Sequence, residues 1–440
     1  MVAEPFISFS FFGRLPPAFL ETVGSGNQRP FTPTMTSMME EDTAPTLDPV
    51  KVRAMIEACG NAPPDLTVVD SLLQENELYA RQQDESTGLA PLMTAAAAGN
   101  AALCQRLLEY GAPWNAVDRN GRCAGNHATD AQQWAIVNLL VDWGVRAELI
   151  LGMLERTSRD GGATISVSSS APVEQQPSTK PDYLRQRLSY SADGKALLDA
   201  DQDAVMMEWE RPLMKAHAQI LMEGSAINSS IQGKRVMNVG FGMGIIDTAL
   251  QAYQPAEHLI IEAHPDVYKR MLEEKWDQKP GVRLCFGRWQ DVLPQLVSQG
   301  VQLDAIFFDT YAEHALDLED FHAQMVHLLS KPNGVYSFFN GLAPDNLFFH
   351  GVACQCVKLQ LSQLGLDSDF LPCEIQVKDK VWEGIRRKYW HGRDTYYLPR
   401  CTWNINYLTT GNPESNAIVD DARKRARDGE GDSLKRQKTT

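Results

Sequence analysis

Two acidic residues stand where they could act on a guanidinium group: Glu210 in Met207-Glu-Trp-Glu-Arg-Pro212, and Asp309 in Phe308-Asp-Thr-Tyr311. A guanidinium is a poor nucleophile, because its lone pairs are delocalised and its pKa exceeds about 12. Carboxylates can grip its planar fork bidentately and localise charge away from one attacking nitrogen. Each acid also has a plainer reading. Glu210 lies just before Pro212, which can start a helix, and an acid there is favoured by the helix dipole. Asp309 could be a strand-end acid bonded to loop amides.

A second set of residues specifies a ligand. Val236-Met-Asn-Val-Gly-Phe-Gly-Met-Gly-Ile245 is an apolar strand running into Gly240, Gly242 and Gly244, which allow a tight turn and close approach of backbone to a ligand. Glu262, at the end of His258-Leu-Ile-Ile-Glu262, falls where a carboxylate can accept both hydroxyls of an adenosine ribose. In Gly287-Arg-Trp-Gln-Asp291, Trp289 could lie against the adenine and Gln290 could bond its edge; aromatic behaviour alone favours a core role for Trp289, and its position in the series reverses that preference. A nicotinamide dinucleotide shares this outline, but its fingerprint wants glycine or alanine where Ile245 stands. With no pyrophosphate to place, the turn suits S-adenosylmethionine. Methyl transfer from a sulfonium is an in-line displacement, so the protein has chiefly to orient an uncharged nucleophile and exclude water. A bare glycine pattern is often just a turn; the order of the segments gives it weight.

These residues need a sheet to bring them together. From Pro212 onward the chain alternates helical and strand patterns. Helices are predicted over Pro212–Met222 and Ile245–Tyr253, and strands over Val282–Phe286, Ala305–Asp309, Gly334–Phe339, Cys373–Val377 and Thr395–Leu398. That is an α/β domain with a mainly parallel sheet, entered through a helical lead-in at Tyr183–Leu188 and Leu197–Leu198. In such a sheet ligands sit beyond the carboxyl ends of the strands, which places the glycine turn, Glu262, Trp289 and Asp309 along one crevice.

Ahead of it, residues 88–147 repeat with a period of 33: Gly88 matches Gly121, Ala95 matches Ala128, Leu107 matches Leu140 and Gly111 matches Gly144. This period and the signature Gly88-Leu-Ala-Pro-Leu-Met-Thr-Ala95 point to ankyrin-like repeats, with Met55–Cys59 and Val68–Leu78 as an atypical leading copy. Gly111 and Gly144 can take the left-handed conformation that ends a helix. A stacked array offers a concave face for a partner, though it can also serve only its own stability. The expected plan is an extension over 1–48, repeats over 49–157, a Gly/Ser/Thr/Pro-rich linker over 158–181, the α/β domain over 182–412 and a tail over 413–440. Extension and tail are expected to be disordered.

The 440 residues carry 41 basic and 56 acidic side chains, a formal charge of −15, which disfavours direct nucleic-acid binding and suits a basic protein partner. Eight scattered cysteines show neither a zinc pattern nor a disulfide framework, and no metal is expected. The apolar run Phe6–Phe12 is far too short to span a membrane. Basic runs at Arg423–Arg427 and Leu434–Lys438 fit a nuclear import signal as well as a solvated end, so cytoplasm and nucleus are the expected compartments.

The segments Met206–Met214, Val239–Gly244, Ile260–Glu262, Gly287–Val292 and Phe308–Tyr311 together resemble the motif set of guanidinoacetate methyltransferase, over residues of about 183 to 410. With the repeats in front, the chain resembles the fungal type IV protein arginine N-methyltransferases, which methylate the internal (delta) guanidino nitrogen of arginine in a protein. The resemblance implies a class I S-adenosylmethionine-dependent methyltransferase fold, Rossmann-like, behind a small all-α repeat domain. It implies cofactor contacts from Tyr190, Met206, Met214, Gly240, Phe241, Gly242, Met243, Gly244, Ile245, Ile246, Glu262, Ala263, His264, Trp289, Gln290 and Asp309. It also implies guanidino contacts from Glu210 and Asp309, and a substrate protein with an exposed arginine, a ribosomal large-subunit protein being the family's suggestion. Ala312-Glu-His-Ala315 departs from the small-molecule enzyme, so the substrate loop differs there. Two alternatives stay open: methylation of a free guanidino metabolite such as guanidinoacetate, and a noncatalytic ankyrin adaptor.

Overall fold

The computed structural model describes residues 47–159, 180, 182–224, 233–311, 315–390 and 394–410. The expected extension to 46, most of the expected linker and the tail beyond 410 lie outside the described residues, as do residues 312–314 of the divergent loop.

The repeats are three helix pairs: α1 (Pro49–Gly60) with α2 (Leu66–Glu75), α3 (Pro91–Ala97) with α4 (Ala101–Glu109), and α5 (Ala124–Asp130) with α6 (Trp134–Arg159). Local chemistry starts them. Asp48, Asp65 and Asn100 cap α1, α2 and α4 by accepting amide hydrogen bonds, and Pro49 and Pro91 stand in first turns, where no amide donor is needed. Gly111 has φ +79° after α4, as its end-of-helix role requires. Gly144 differs from its expected role. It lies inside α6, where a Cβ would come within 2.8 Å of the Trp114 ring, so it serves packing rather than termination. The last helix runs on to Arg159, past the expected start of the linker.

The lead-in is not the expected helix. Tyr183–Arg185 makes one 3-10 turn, after which β1 (Ser189–Tyr190), β2 (Ala196–Leu198) and β3 (Ala204–Met207) form a small antiparallel sheet. β2 is buried at every position, which leaves no alternation to betray a strand.

The main sheet follows, interleaved with helices: α7 (Arg211–Glu223), β4 (Arg235–Val239), α8 (Ile245–Gln251), β5 (Glu257–Glu262), α9 (Pro265–Glu273), β6 (Val282–Phe286), α10 (Trp289–Ser298), β7 (Ala305–Phe308), α11 (Ala315–Met325), β8 (Val335–Phe338), α12 (Leu347–Gln363), β9 (Leu366–Glu374), β10 (Thr395–Trp403) and α13 (Ile405–Thr410). The order is β6-β5-β4-β7-β8-β10-β9, parallel from β6 to β8, with β10 antiparallel to both neighbours. β9 begins earlier than expected and β10 ends later, pairing from Thr395↔Glu374 to Trp403↔Leu366. The chain leaves β4 in opposite directions toward β5 and β7, so a crevice opens beyond the ends of β4 and β7. Register aligns those ends, with Val239 paired to both Ile261 and Phe308.

The repeats and the sheet domain share apolar packing. Phe348 and Val352 of α12 are buried in the same cluster as the repeat helices. Gly125 in α5 makes room, because a Cβ there would overlap the Phe348 ring. Asn346 caps α12 through Phe348 N and also donates to Asn126 Oδ1 at 2.8 Å and Gly121 O at 3.2 Å. Further along, Arg156 of α6 pairs with Glu319 and Asp320 of α11 at 2.9 and 2.8 Å.

Candidate active site

A cavity of about 570 Å³ lies beyond the strand ends, within the size range of small-molecule sites. Its wall includes Met206 from β3, Gly240 and Gly242 after β4, Glu262 and Ala263 after β5, Trp289 opening α10, and Asp309 after β7. The glycines answer first to the protein's own packing. Gly240 has φ +93°, and a Cβ there would fall 1.8 Å from the Asp309 carbonyl oxygen; a Cβ on Gly242 would meet Met206 Sδ, and one on Gly244 the Phe241 ring. The turn is thus a cradle kept thin so that β4 and β7 can end side by side.

Glu262, the expected ribose acid, lines the cavity at the end of β5. It is 7% exposed, and its two carboxylate oxygens accept from Phe241 N at 2.9 Å and His264 N at 2.6 Å. Burial raises its pKa, while backbone donors on both sides oppose the rise. Trp289 packs edge-on to Phe308 and Phe321 while lining the cavity. These features fit S-adenosylmethionine: an acid for the ribose, an aromatic for the adenine, and a turn whose side chains are absent where the ligand must pass.

The other expected cofactor residues stand behind this wall. Met214, Ile245 and Ile246 belong to the apolar cluster under α7 and α8, and Met243 packs against it. Phe241 is buried edge-on against Trp276, and Gly244 closes the turn under it. His264 packs beside Tyr183 at 5.0 Å, and Gln290 follows Trp289 half-buried in the first turn of α10. Tyr190 lies beneath the Arg270 guanidinium, 3.6 Å from ring centre to Cζ, with its hydroxyl reaching Gly242 O at 3.5 Å.

Glu210 lies near enough to Asp309 to feel its charge. Glu210 is 3% exposed and ends a 3-10 turn ahead of α7. Its Oε1 accepts from Met207 N at 3.0 Å and from the Tyr389 hydroxyl. Burial, then the nearby Asp309 charge, push its pKa up to about 8, against the pull of those two donors. Asp309 lines the cavity, and burial pushes its carboxyl up to about 7. Two neighbouring acids whose ionisation is costly have the chemistry to receive one positive charge.

Several site residues were not legible in the sequence. Tyr183 and Tyr311 meet over the cavity at 5.0 Å, and Tyr311 donates to Asp199 Oδ2 at 3.0 Å. Lys180, also on the wall, bonds Asp199, Asp201 and Asp203. Tyr311 sits in a motif quoted for Asp309 and could have been found there. Tyr389 reaches Glu210 from the β9–β10 connection, 179 residues away, and nothing local marks it.

A parallel sheet reversed at β4, with a glycine turn, a ribose acid and an aromatic at its carboxyl edge, defines a Rossmann-like, S-adenosylmethionine-dependent methyltransferase. Comparison with known proteins narrows this. The guanidinoacetate N-methyltransferase family matches residues 179–349, and ankyrin repeats, three copies, match residues 55–149. Protein arginine N-methyltransferase 2 of Aspergillus oryzae is 34% identical over 397 residues, covering 77% of this chain and 94% of that one. The Saccharomyces cerevisiae protein of the same name is 33% identical over 323 residues, 68% of this chain and 76% of that one. That of Yarrowia lipolytica is 44% identical over 228 residues, about half of each chain, at 50% and 47%. The chain belongs to the protein arginine N-methyltransferase 2 family. Among the described residues, no helix is long and apolar enough to cross a membrane.

Proposed function

We propose that this protein methylates the internal (delta, N5) guanidino nitrogen of arginine in a protein substrate, with a ribosomal large-subunit protein as the candidate acceptor. The observation that carries the guanidinium is a pair of neighbouring acids, buried Glu210 and half-buried Asp309, with Asp309 on the cavity wall. The family name of the relatives supports arginine in a protein over a free metabolite.

Bound S-adenosylmethionine supplies a methyl group on a sulfonium. The chain's residues do the rest. Glu262 and the glycine turn would hold the nucleoside, with Asp309 on the same cavity wall. The two carboxylates take the guanidinium in charge-assisted hydrogen bonds, which draw positive charge toward the bonded nitrogens and leave the reacting nitrogen richer in electrons. As the new N–CH3 bond forms, the C–S bond breaks with its electron pair on sulfur, and the nitrogen sheds a proton. A carboxylate with a pKa near neutrality is suited to receive that proton.

The test is mass spectrometry of cell-extract proteins incubated with the full chain and labelled cofactor, using fragmentation that separates internal from terminal methylarginine. Label on the internal nitrogen is expected. Label only on terminal nitrogens would refute the nitrogen assignment, and turnover of guanidinoacetate with none on protein would restore the metabolite reading. We also place the protein in cytoplasm and nucleus on its basic terminal runs; cytoplasmic retention of the intact fluorescent fusion would remove the nuclear part.

A further inference from the structure

We propose that Tyr389 is a positioning residue for the guanidinium site: with the Met207 amide it ties down one carboxylate oxygen of Glu210, so that the other is presented to the substrate. This rests on the guanidinium reading of the Glu210–Asp309 pair. Both donors converge on Oε1, and Oε2 takes no hydrogen bond from any described residue. A carboxylate held at one oxygen by donors from two separate segments cannot swing about its last torsion. Its second oxygen therefore keeps one direction, as a guanidinium fork requires.

Tyr389 is held firmly enough to do this. Its ring packs edge-on against Trp382 at 4.9 Å and, tilted by 35°, against Trp209 at 5.7 Å, and Trp209 immediately precedes Glu210. The same aromatic cluster thus fixes both ends of the Tyr389–Glu210 bond. The connection that carries Tyr389 is fastened to the β2–β3 turn, where Arg386 pairs with Asp203 through Nε at 2.9 Å and its backbone amide donates to Gln202 O at 3.0 Å. The titratable groups facing Glu210 are Asp309 after β7, Tyr389 on this connection and Tyr396 on β10. Of these, Tyr389 is the one that donates a hydrogen bond to it, and that bond favours the charged carboxylate.

The experiment compares the full chain with Tyr389→Phe and with Arg386→Met, which loosens the connection from a largely exposed position. Two readouts are taken from pH 6 to 9.5. One is kcat/KM for methyl transfer to the total protein of purified large ribosomal subunits. The other is isothermal titration with ethylguanidinium chloride of protein saturated with S-adenosylhomocysteine. Tyr389→Phe is expected to lower both by about 10- to 100-fold near pH 7, as loss of one hydrogen bond to a charged group gives. It should also move their pH midpoints upward by about one unit, partly restoring function at pH 9, because Glu210 then ionises later. Arg386→Met should change both in the same direction by less, and S-adenosylmethionine affinity should stay within about twofold in each, since neither residue lines the cofactor cavity.

Unchanged midpoints and affinities in Tyr389→Phe would overturn the proposal. So would a uniform loss accompanied by weakened cofactor binding and a lower melting temperature, since that is what a merely structural hydroxyl gives. If the wild type methylates no ribosomal protein but still binds ethylguanidinium in a Tyr389-dependent way, the substrate assignment falls and the positioning role stands. If it does not bind ethylguanidinium, both fall.

Discussion

Glu210→Gln separates charge from shape at the candidate catalytic pair. The amide oxygen of glutamine can still accept from Met207 N and the Tyr389 hydroxyl, so the local fold is kept while the negative charge is removed. In the wild type the carboxyl is displaced from 4.5 to about 8, which makes ionising it in the empty site cost on the order of 5 kcal/mol. At pH 7 a guanidinium has to supply only what remains of that cost, about 1.4 kcal/mol for a carboxyl that titrates near 8, and above pH 8 almost none. Leaving the buried cation short of one partner should cost about 3–5 kcal/mol, or two to three and a half decades in kcat/KM. The pH profile adds a second measure. Both acids must be ionised to receive a cation, so wild-type kcat/KM should climb through pH 7–8, with a limiting slope near two on its acid side, and level off above. In the variant one step disappears, leaving a slope near one and a midpoint governed by Asp309. Stability runs the other way. Both acids titrate higher folded than unfolded, so the folded chain holds extra protons, and the stability they contribute is lost as pH rises through 7–8. Glu210→Gln should therefore melt at or above the wild-type temperature at pH 8.5, which rules out unfolding as the cause of lost activity. The assay is initial-rate transfer of labelled methyl from pH 5.5 to 9.5, with cofactor affinity by calorimetry. A variant within threefold of wild type and with the same pH slope would refute the paired-acid reasoning.

Asp309→Ala is expected to abolish methyl transfer, by at least about a thousandfold, while the circular dichroism spectrum stays native; unaffected turnover would count decisively against the assigned role. Gly240→Ala places a Cβ on the Asp309 carbonyl oxygen at φ +93°, so β4 and β7 must part. It should lower the melting temperature and weaken cofactor binding together, as thermal melts with and without S-adenosylmethionine would report. Phe348→Ala empties the space that Gly125 leaves in the repeats and should cost about 3–5 kcal/mol by denaturant titration; a loss under 1 kcal/mol would mean that this contact is not a core contact.

The sheet was legible because its chemistry is local. Apolar runs end in glycine or acid at β4, β5 and β7, and those ends are also where a ligand binds, so one pattern reveals both. The expected strand Cys373–Val377 meets β9 only at Cys373 and Glu374; the rest of β9 lies earlier, where Asp367 and Asp369, poor strand formers, occupy exposed positions. β10 was cut at Pro399, yet the proline sits opposite Phe370 within the ladder and its carbonyl takes the Ser337 hydroxyl. The small β1–β3 sheet is too short and too fully buried to show a period. Glu210 could be nominated from its motif, but its partner Tyr389 could not. That contact depends on how a long connection folds back across the sheet, and no spacing rule relates residues so far apart.

Helix α12 opens inside one core and closes inside another: Phe348 and Val352 are packed among the repeats, while Val357 and Leu361 lie under the sheet. The ankyrin segment is therefore no detachable cassette. Excising it would strip the catalytic domain of a wall and expose the start of α12 to water, so a trimmed enzyme would be prone to aggregate rather than merely lose an adaptor.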